Sequence, residues 1–186
     1  IRFGVREHAM GAIANGIALH GLFRPFASTF LVFSSYQANA LRMAALQNLP
    51  VIHVLSHDSI TVGEDGPTHQ PVEMLSMLRA TPNTVVLRPG DGQETAECWA
   101  AALERTDGPT ILVLSRSPLT PADRSDSWGD VRRGAYIVSE TGEADIALVA
   151  SGSELPIASA AAELLRGEGL RVRVVSTPSQ ELFFAQ

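Results

Sequence analysis

The chain has 186 residues, with 14 basic and 20 acidic side chains and a formal net charge of −6. Every basic residue is arginine, so an enzyme-bound lysine imine and the phosphate-loop lysine of a nucleotide hydrolase are both excluded, whatever codon bias removed lysine. No basic cluster exceeds Arg132-Arg133, so no nucleic acid or anionic membrane surface is expected as a partner, and the apolar runs are too short for a transmembrane helix.

The chain opens on Ile1-Arg2-Phe3, which reads as strand-like, and closes on Leu182-Phe183-Phe184-Ala185-Gln186. Without an initiating methionine or a polar tail, these ends give the expectation of a piece of a longer polypeptide, and no targeting segment is visible. Gly4-Val5-Arg6-Glu7-His8-Ala9-Met10 passes into a helix with Glu7 in its first turn, where the macrodipole favours any acidic residue. Phe30, Phe33 and Tyr36 recur every three residues and form one aromatic stripe if the segment is helical. On spacing alone such a stripe belongs to a core.

Short apolar, β-branched runs at 51–55, 84–87, 110–114, 146–150 and 171–175 predict strands. Stretches of helical periodicity at 34–46, 72–78, 93–104 and 154–165 lie between them. Strands apolar on both faces, alternating with helices, imply a parallel sheet flanked by helices, and so the α/β class. Residues from Ser117 to Arg133 include two prolines and little apolar content and read as a linker. The expected division is a first unit at 1–120, a linker at 121–133 and the start of a second α/β unit at 134–186. In that second unit Ser151-Gly152-Ser153-Glu154 reads as a serine cap with an acidic first turn; a phosphate there would meet repulsion from Glu154. The single cysteine, Cys98, allows no internal disulfide and points to a reducing, cytoplasmic setting.

The densest polar stretch runs from His57 through Asp58, Gly63, Glu64, Asp65, Gly66, Pro67 and Thr68 to His69-Gln70-Pro71, directly after the strand at 51–55. In an open parallel sheet the carboxyl ends of the strands carry the ligand crevice. Three uses are open to such a loop. His57, His69 and Asp58 or Asp65 are acceptable metal ligands, although no compact ligand spacing accompanies them. The loop could be structural, stiffened by its glycines and proline. Its imidazoles and carboxylate also match the hydroxyls and phosphate oxygens of a polyhydroxylated or phosphorylated substrate.

Taken together, Ile1-Arg2-Phe3-Gly4-Val5-Arg6-Glu7-His8-Ala9-Met10, Ser28-Thr29-Phe30, His57-Asp58-Ser59-Ile60, the Gly63 to Pro71 run, Leu114-Ser115-Arg116 and Ala150-Ser151-Gly152-Ser153-Glu154 resemble transketolase, a thiamine-diphosphate-dependent family, in order and spacing across essentially the whole chain. The resemblance implies that residues 1–120 are most of the pyrimidine-binding domain and that 134–186 begin the C-terminal domain. It implies no metal ligand here, because the Mg²⁺ or Ca²⁺ of the family is held by a diphosphate-binding domain that this chain lacks.

The resemblance also assigns roles. Cleaving a carbon–carbon bond beside a ketone requires an electron sink, which thiamine diphosphate supplies in place of a lysine imine. Glu7 corresponds to the glutamate that hydrogen-bonds the aminopyrimidine, a role suited to a buried carboxyl with a raised pKa. Phe30, Phe33 and Tyr36 correspond to the aromatic wall against which that ring stacks. His69, beside the reacting carbonyl, and Asp65 are implied to bind the ketose hydroxyls, while His57 and Arg116 hold the sugar phosphate. The partners so implied are sugar phosphates and the second subunit of a homodimer, which completes the active site. Thr61 stands where glycine is usual, and Ser117-Pro118 where Gln-Asn is frequent. Dihydroxyacetone synthase shares the motifs and differs in acceptor, and a non-catalytic assembly module is the alternative of another class.

Overall fold

The structure, a computed structural model, describes residues 1–122 and 131–186. Strands β1 (Phe26–Phe30), β2 (Ile52–Ser56), β3 (Val85–Leu87) and β4 (Thr110–Leu114) form an all-parallel sheet in the order β1-β2-β4-β3. Helices α1 (Glu7–His20), α2 (Ser34–Leu46) and α3 (Met74–Arg79) pack on one face and α4 (Gly92–Glu104) on the other. Strands β5 (Tyr136–Ser139), β6 (Ile146–Ala150) and β7 (Val172–Ser176) form a second sheet ordered β5-β7-β6. There β6 and β7 are parallel and joined through α5 (Leu155–Gly167), β5 is antiparallel, and α6 (Gln180–Phe184) follows. The architecture is the expected α/β one, with a parallel helix-flanked sheet followed by a smaller mixed sheet.

Alternation along the strands decides which face each side chain serves. On β2, Ile52 and Val54 join the cluster under α4 with Leu87, Cys98 and Leu112, whereas Leu55 packs with Leu31, Leu41, Ile111 and Val113 on the opposite face. Cys98 is fully buried, and burial pushes its thiol pKa up. Helix α4 starts at Asp91, whose carboxylate accepts the Glu94 N–H at 2.8 Å while Glu94 reaches back to the Gly90 N–H at 2.5 Å. This is a capping box with its return bond one residue further out. Helices α1 and α2 cross closely at Gly11, where a Cβ would lie 2.9 Å from the Ala40 Cβ, and Asn15 donates to the Ala40 carbonyl at 2.8 Å. That crossing fixes the direction in which the first turn of α1, and Glu7 with it, is presented.

Five predicted strands are present with ends shifted by at most one residue, and α2 spans 34–46 as predicted. Three expectations fail. Ile1-Arg2-Phe3 form no strand, because Arg6 folds back and donates to the Phe3 carbonyl at 2.8 Å, with Gly4 at φ +63° making the turn. Two strands were not anticipated: β1 is an edge strand of mixed polarity, Phe-Ala-Ser-Thr-Phe, and β5 has only four residues with a register shift between Ile137 and Ser139. Ser151 caps no helix through its side chain; its hydroxyl and that of Ser153 turn towards Arg88 of the first unit. Most of the predicted linker, 123–130, lies outside the described residues. At its end Val131–Arg133 forms a 3-10 turn whose Val131 is fully buried against α4. Among the described residues no helix is long and apolar enough to cross a membrane.

Candidate active site

The carboxyl ends of the first sheet carry the candidate site, as the topology of an open parallel sheet dictates. Phe30 ends β1, His57 follows β2, Arg88 follows β3 and Arg116 follows β4. Parallel register sets Phe30 beside Ser56, so His57 emerges next to Phe30. The His57 backbone lies at φ +64°, a left-handed conformation that few non-glycine residues adopt and that marks a constrained position. Its imidazole stacks on Phe30 with ring centroids 3.6 Å apart, and its Nδ1 is 3.0 Å from the Ser56 hydroxyl.

The loop after β2 folds into two 3-10 turns, Ile60–Asp65 and Pro67–His69. Gly63 at φ +74° and Gly66 at φ +79° allow the reversals between them. Thr61 keeps a negative φ of −85° and shares a hydrogen bond of 2.7 Å with the Ser59 hydroxyl. The reversals return Asp65 to 3.9 Å from His57 Nε2 and set the His69 ring edge-on to Phe33, at 5.3 Å, and to Phe30, at 6.2 Å. Arg116 reaches in from β4, its Nη2 2.9 Å from Glu64 and its Nε 3.7 Å from Asp65. The loop is thus closed across the sheet by an arginine that remains part-exposed.

Phe30, Phe33, Tyr36, His57, Asp65, His69 and Arg116 therefore form one connected cluster. The aromatic stripe survives as a chain of ring contacts, Phe30 to Phe33 at 5.8 Å and Phe33 to Tyr36 at 6.3 Å. It is no core stripe, since Phe30 and Phe33 are only part-buried and Tyr36 is 67% exposed. Spacing misjudged it because the three residues sit on a strand end, a 3-10 turn and a helix rather than on one helix.

Glu7 stands apart. It occupies the first turn of α1 as expected, but it is half-buried rather than buried, and its carboxylate has no hydrogen bond or ion pair among the described residues. It extends the buried stripe of Met10, Gly11 and Ala14 by one turn, past the point where neighbouring elements cover that stripe.

The part-buried rings of Phe30 and Phe33 suit a flat aromatic group. Among the described residues no three His, Cys, Asp or Glu side chains converge to hold an ion. Sequence reasoning missed Arg88, whose only local mark was its place after a strand in Arg88-Pro89-Gly90-Asp91; it is buried against Asp58, the neighbour of His57.

The family model for the transketolase pyrimidine-binding domain matches residues 1–121, and that for the transketolase-like C-terminal domain matches residues 134–186. The plasmid-borne transketolase of Cupriavidus necator is 53% identical over 100% of this chain and 28% of its own length. A transketolase structure from Leishmania mexicana superposes with a TM-score of 0.96 at 54% identity, covering 100% of this chain and 28% of that one. A Pichia stipitis transketolase in complex with sedoheptulose-7-phosphate superposes at 0.95 with 48% identity, again over 100% and 28%. The chain thus spans 28% of the length of these relatives.

Proposed function

The chain belongs to the transketolase family, and on that premise we propose that it is part of a transketolase subunit. The subunit would move a two-carbon ketol unit from a ketose phosphate, xylulose 5-phosphate, to an aldose phosphate, ribose 5-phosphate or erythrose 4-phosphate. In this reading residues 1–120 belong to the pyrimidine-binding domain, 121–133 connect, and 134–186 begin the C-terminal domain. The observation that carries the proposal is the cluster of Phe30, His57, Asp65, His69 and Arg116 at the carboxyl ends of β1, β2 and β4.

Thiamine diphosphate, when bound, supplies the electron sink for cleavage beside a ketone. Glu7 shares a proton with the pyrimidine ring nitrogen, which its unpartnered carboxyl is free to do. Phe30, Phe33 and Tyr36 give the ring an apolar wall and exclude water from it. His69 and Asp65 orient the ketose hydroxyls, with His69 placed to accept and return a proton near the carbonyl. His57 and Arg116 take the sugar phosphate, Arg116 exchanging its pairing with Glu64 and Asp65 for the stronger, forked pairing with a phosphate. The Mg²⁺ or Ca²⁺ and the diphosphate are held by a domain outside this chain, across the interface of a homodimer. The setting is cytoplasmic, in the pentose phosphate pathway.

The test is an assay of the intact subunit with xylulose 5-phosphate and either ribose 5-phosphate or formaldehyde. Transfer to ribose 5-phosphate is expected; preference for formaldehyde would favour dihydroxyacetone synthase, and transfer to neither would remove the proposal. The 186-residue chain alone should be inactive, and calorimetry should detect no tight, Mg²⁺-dependent binding of thiamine diphosphate to it.

A further inference from the structure

The two units meet at a buried ion pair that touches the candidate site from behind. Arg88 leaves the carboxyl end of β3 and is almost wholly enclosed. Its Nε and Nη2 both donate to Asp58 Oδ2, at 3.1 and 2.8 Å. The remaining donors go to the second unit: Nη1 to the Ser151 carbonyl at 3.1 Å and its hydroxyl at 3.4 Å, and Nη2 to the Ser153 hydroxyl at 3.0 Å. Glu154 pairs with Nη1, and the Ser153 hydroxyl donates onward to Asp58 Oδ2 at 3.0 Å.

The main chain repeats the connection, with the Gly152 N–H donating to the Arg88 carbonyl at 3.0 Å and the Arg88 N–H to the Pro178 carbonyl at 2.8 Å. Gly152 lies at φ +58°, and a Cβ there would come within 2.6 Å of Arg88 Nε. The 151–154 turn is therefore shaped to the guanidinium.

Asp58 follows His57 directly, and His57 is held in a left-handed conformation with its ring over Phe30. A strained residue keeps its conformation only where its surroundings over-determine it. On one side of His57 the constraint is the β1–β2 register. On the other it is Asp58, whose carboxylate is fixed by Arg88 and by Ser153 of the second unit.

We propose that Arg88, seated in the 151–154 turn of the second unit, is a positioning residue for the 57–69 loop, holding His57 through Asp58 so that it meets the substrate phosphate. The loop's placement thus depends on docking of the second unit. The inference rests on the ketol-transfer reading for what His57 binds, but not for the brace itself.

In the intact enzyme, Ser153→Ala removes a side chain of the second unit that touches both Arg88 and Asp58. It should raise KM for xylulose 5-phosphate about three- to tenfold, in line with loss of one charge-assisted hydrogen bond. It should leave kcat, and KM for a ketose donor without a phosphate, within about twofold. Arg88→Lys, which keeps the charge but not the fork, should act in the same direction and more strongly. Amide exchange over 57–69 should quicken in both variants. Unchanged exchange over 57–69 together with unchanged KM overturns the inference. Equal loss for both donors would also overturn it, since that is the mark of general destabilisation. Faster exchange in both variants, with a wild-type enzyme that transfers no ketol unit, would overturn the functional reading and leave the brace standing.

Discussion

The His57 imidazole lies on the Phe30 ring with centroids 3.6 Å apart and 23° between the planes. Neither residue produces this alone: the parallel β1–β2 register brings Phe30 beside Ser56, and the left-handed backbone of His57 turns its ring back over the sheet edge. The same phenyl ring supports His69 edge-on. Two imidazoles assigned to different parts of a substrate thus share one apolar support.

Removing that support should affect binding before chemistry. Ring pairs contribute about 0.5–1.5 kcal/mol beyond their area, so Phe30→Leu should raise KM for the phosphorylated donor roughly two- to tenfold. The His57 ring protons should move downfield in the NMR spectrum as the ring current is lost. If KM and the His57 shifts both stay where they are, the stack has no part in positioning.

Glu7 leads to a prediction about turnover rather than stability. Its carboxylate makes no bond among the described residues and sits half-buried in the first turn of α1, so Glu7→Gln removes a proton-sharing group while breaking no hydrogen bond or ion pair there. In the intact enzyme kcat should fall about 10²- to 10⁴-fold, the usual range for a positioned acid or base. The melting temperature should remain within a degree or two. Near-normal turnover would remove Glu7 from the mechanism.

His53 sets a pH limit. It is fully buried in β2, neither ring nitrogen has a hydrogen-bond partner among the described residues, and burial lowers its pKa to about 4. Unfolded, it would titrate near its ordinary value of about 6.5, so between these values the unfolded chain binds more protons. The stability contributed by keeping His53 neutral is complete above pH 6.5 and drains away as pH falls towards 4. At roughly 1.4 kcal/mol per pH unit, lowering the pH from 7 to 5 should remove about 2 kcal/mol. Urea unfolding of wild type and His53→Leu at both pH values tests this: the variant should lose less on acidification by about that amount, and parallel losses would show that other groups govern acid unfolding.

How far the sequence foretold this depends on how local each cause is. The strands β2, β3 and β4 are runs of largely buried, mostly apolar residues, so burial on both faces is written into their composition, and β6 and β7 show as short β-branched runs although β6 exposes alternate residues and β7 buries alternate ones. β1 exposes alternate residues at a sheet edge and carries no such mark. The loop after β2 drew attention because polar and glycine residues were concentrated behind an apolar strand. Its closure by Arg116 and its brace at Arg88 come from strands far along the chain and leave no trace in the loop's own residues. Ser151 was misjudged for the same reason: a serine before a helix is ordinarily a cap, but here a buried guanidinium from the other unit competes for its hydroxyl. His53 drew no attention, as a single histidine in an apolar run looks like sequence noise until its burial is seen.

A second polar junction between the units should decide how cooperatively they unfold. Glu94, fully buried at the start of α4, accepts from the Gly90 N–H, the Tyr136 hydroxyl on β5 and the Ser176 hydroxyl at the end of β7, each at 2.5 Å. Alanine there would take this acceptor away from the buried Gly90 N–H and Ser176 hydroxyl and cut the link to Tyr136, and each buried unsatisfied group costs about 1–3 kcal/mol, with partial relief from water. Glu94→Ala should therefore destabilise by about 2–4 kcal/mol. Because the lost bonds include both side-chain links to the second sheet, its denaturation should separate into two transitions. Glu94→Gln keeps the shape, but its amide nitrogen cannot accept, so it should lie between the two. Tyr136→Phe removes one donor together with its need for a partner, and combined with Glu94→Ala it should destabilise by less than the sum of the single changes. Strict additivity in that double-mutant cycle, with a single unfolding transition throughout, would mean that Glu94 stabilises α4 alone and does not join the two units.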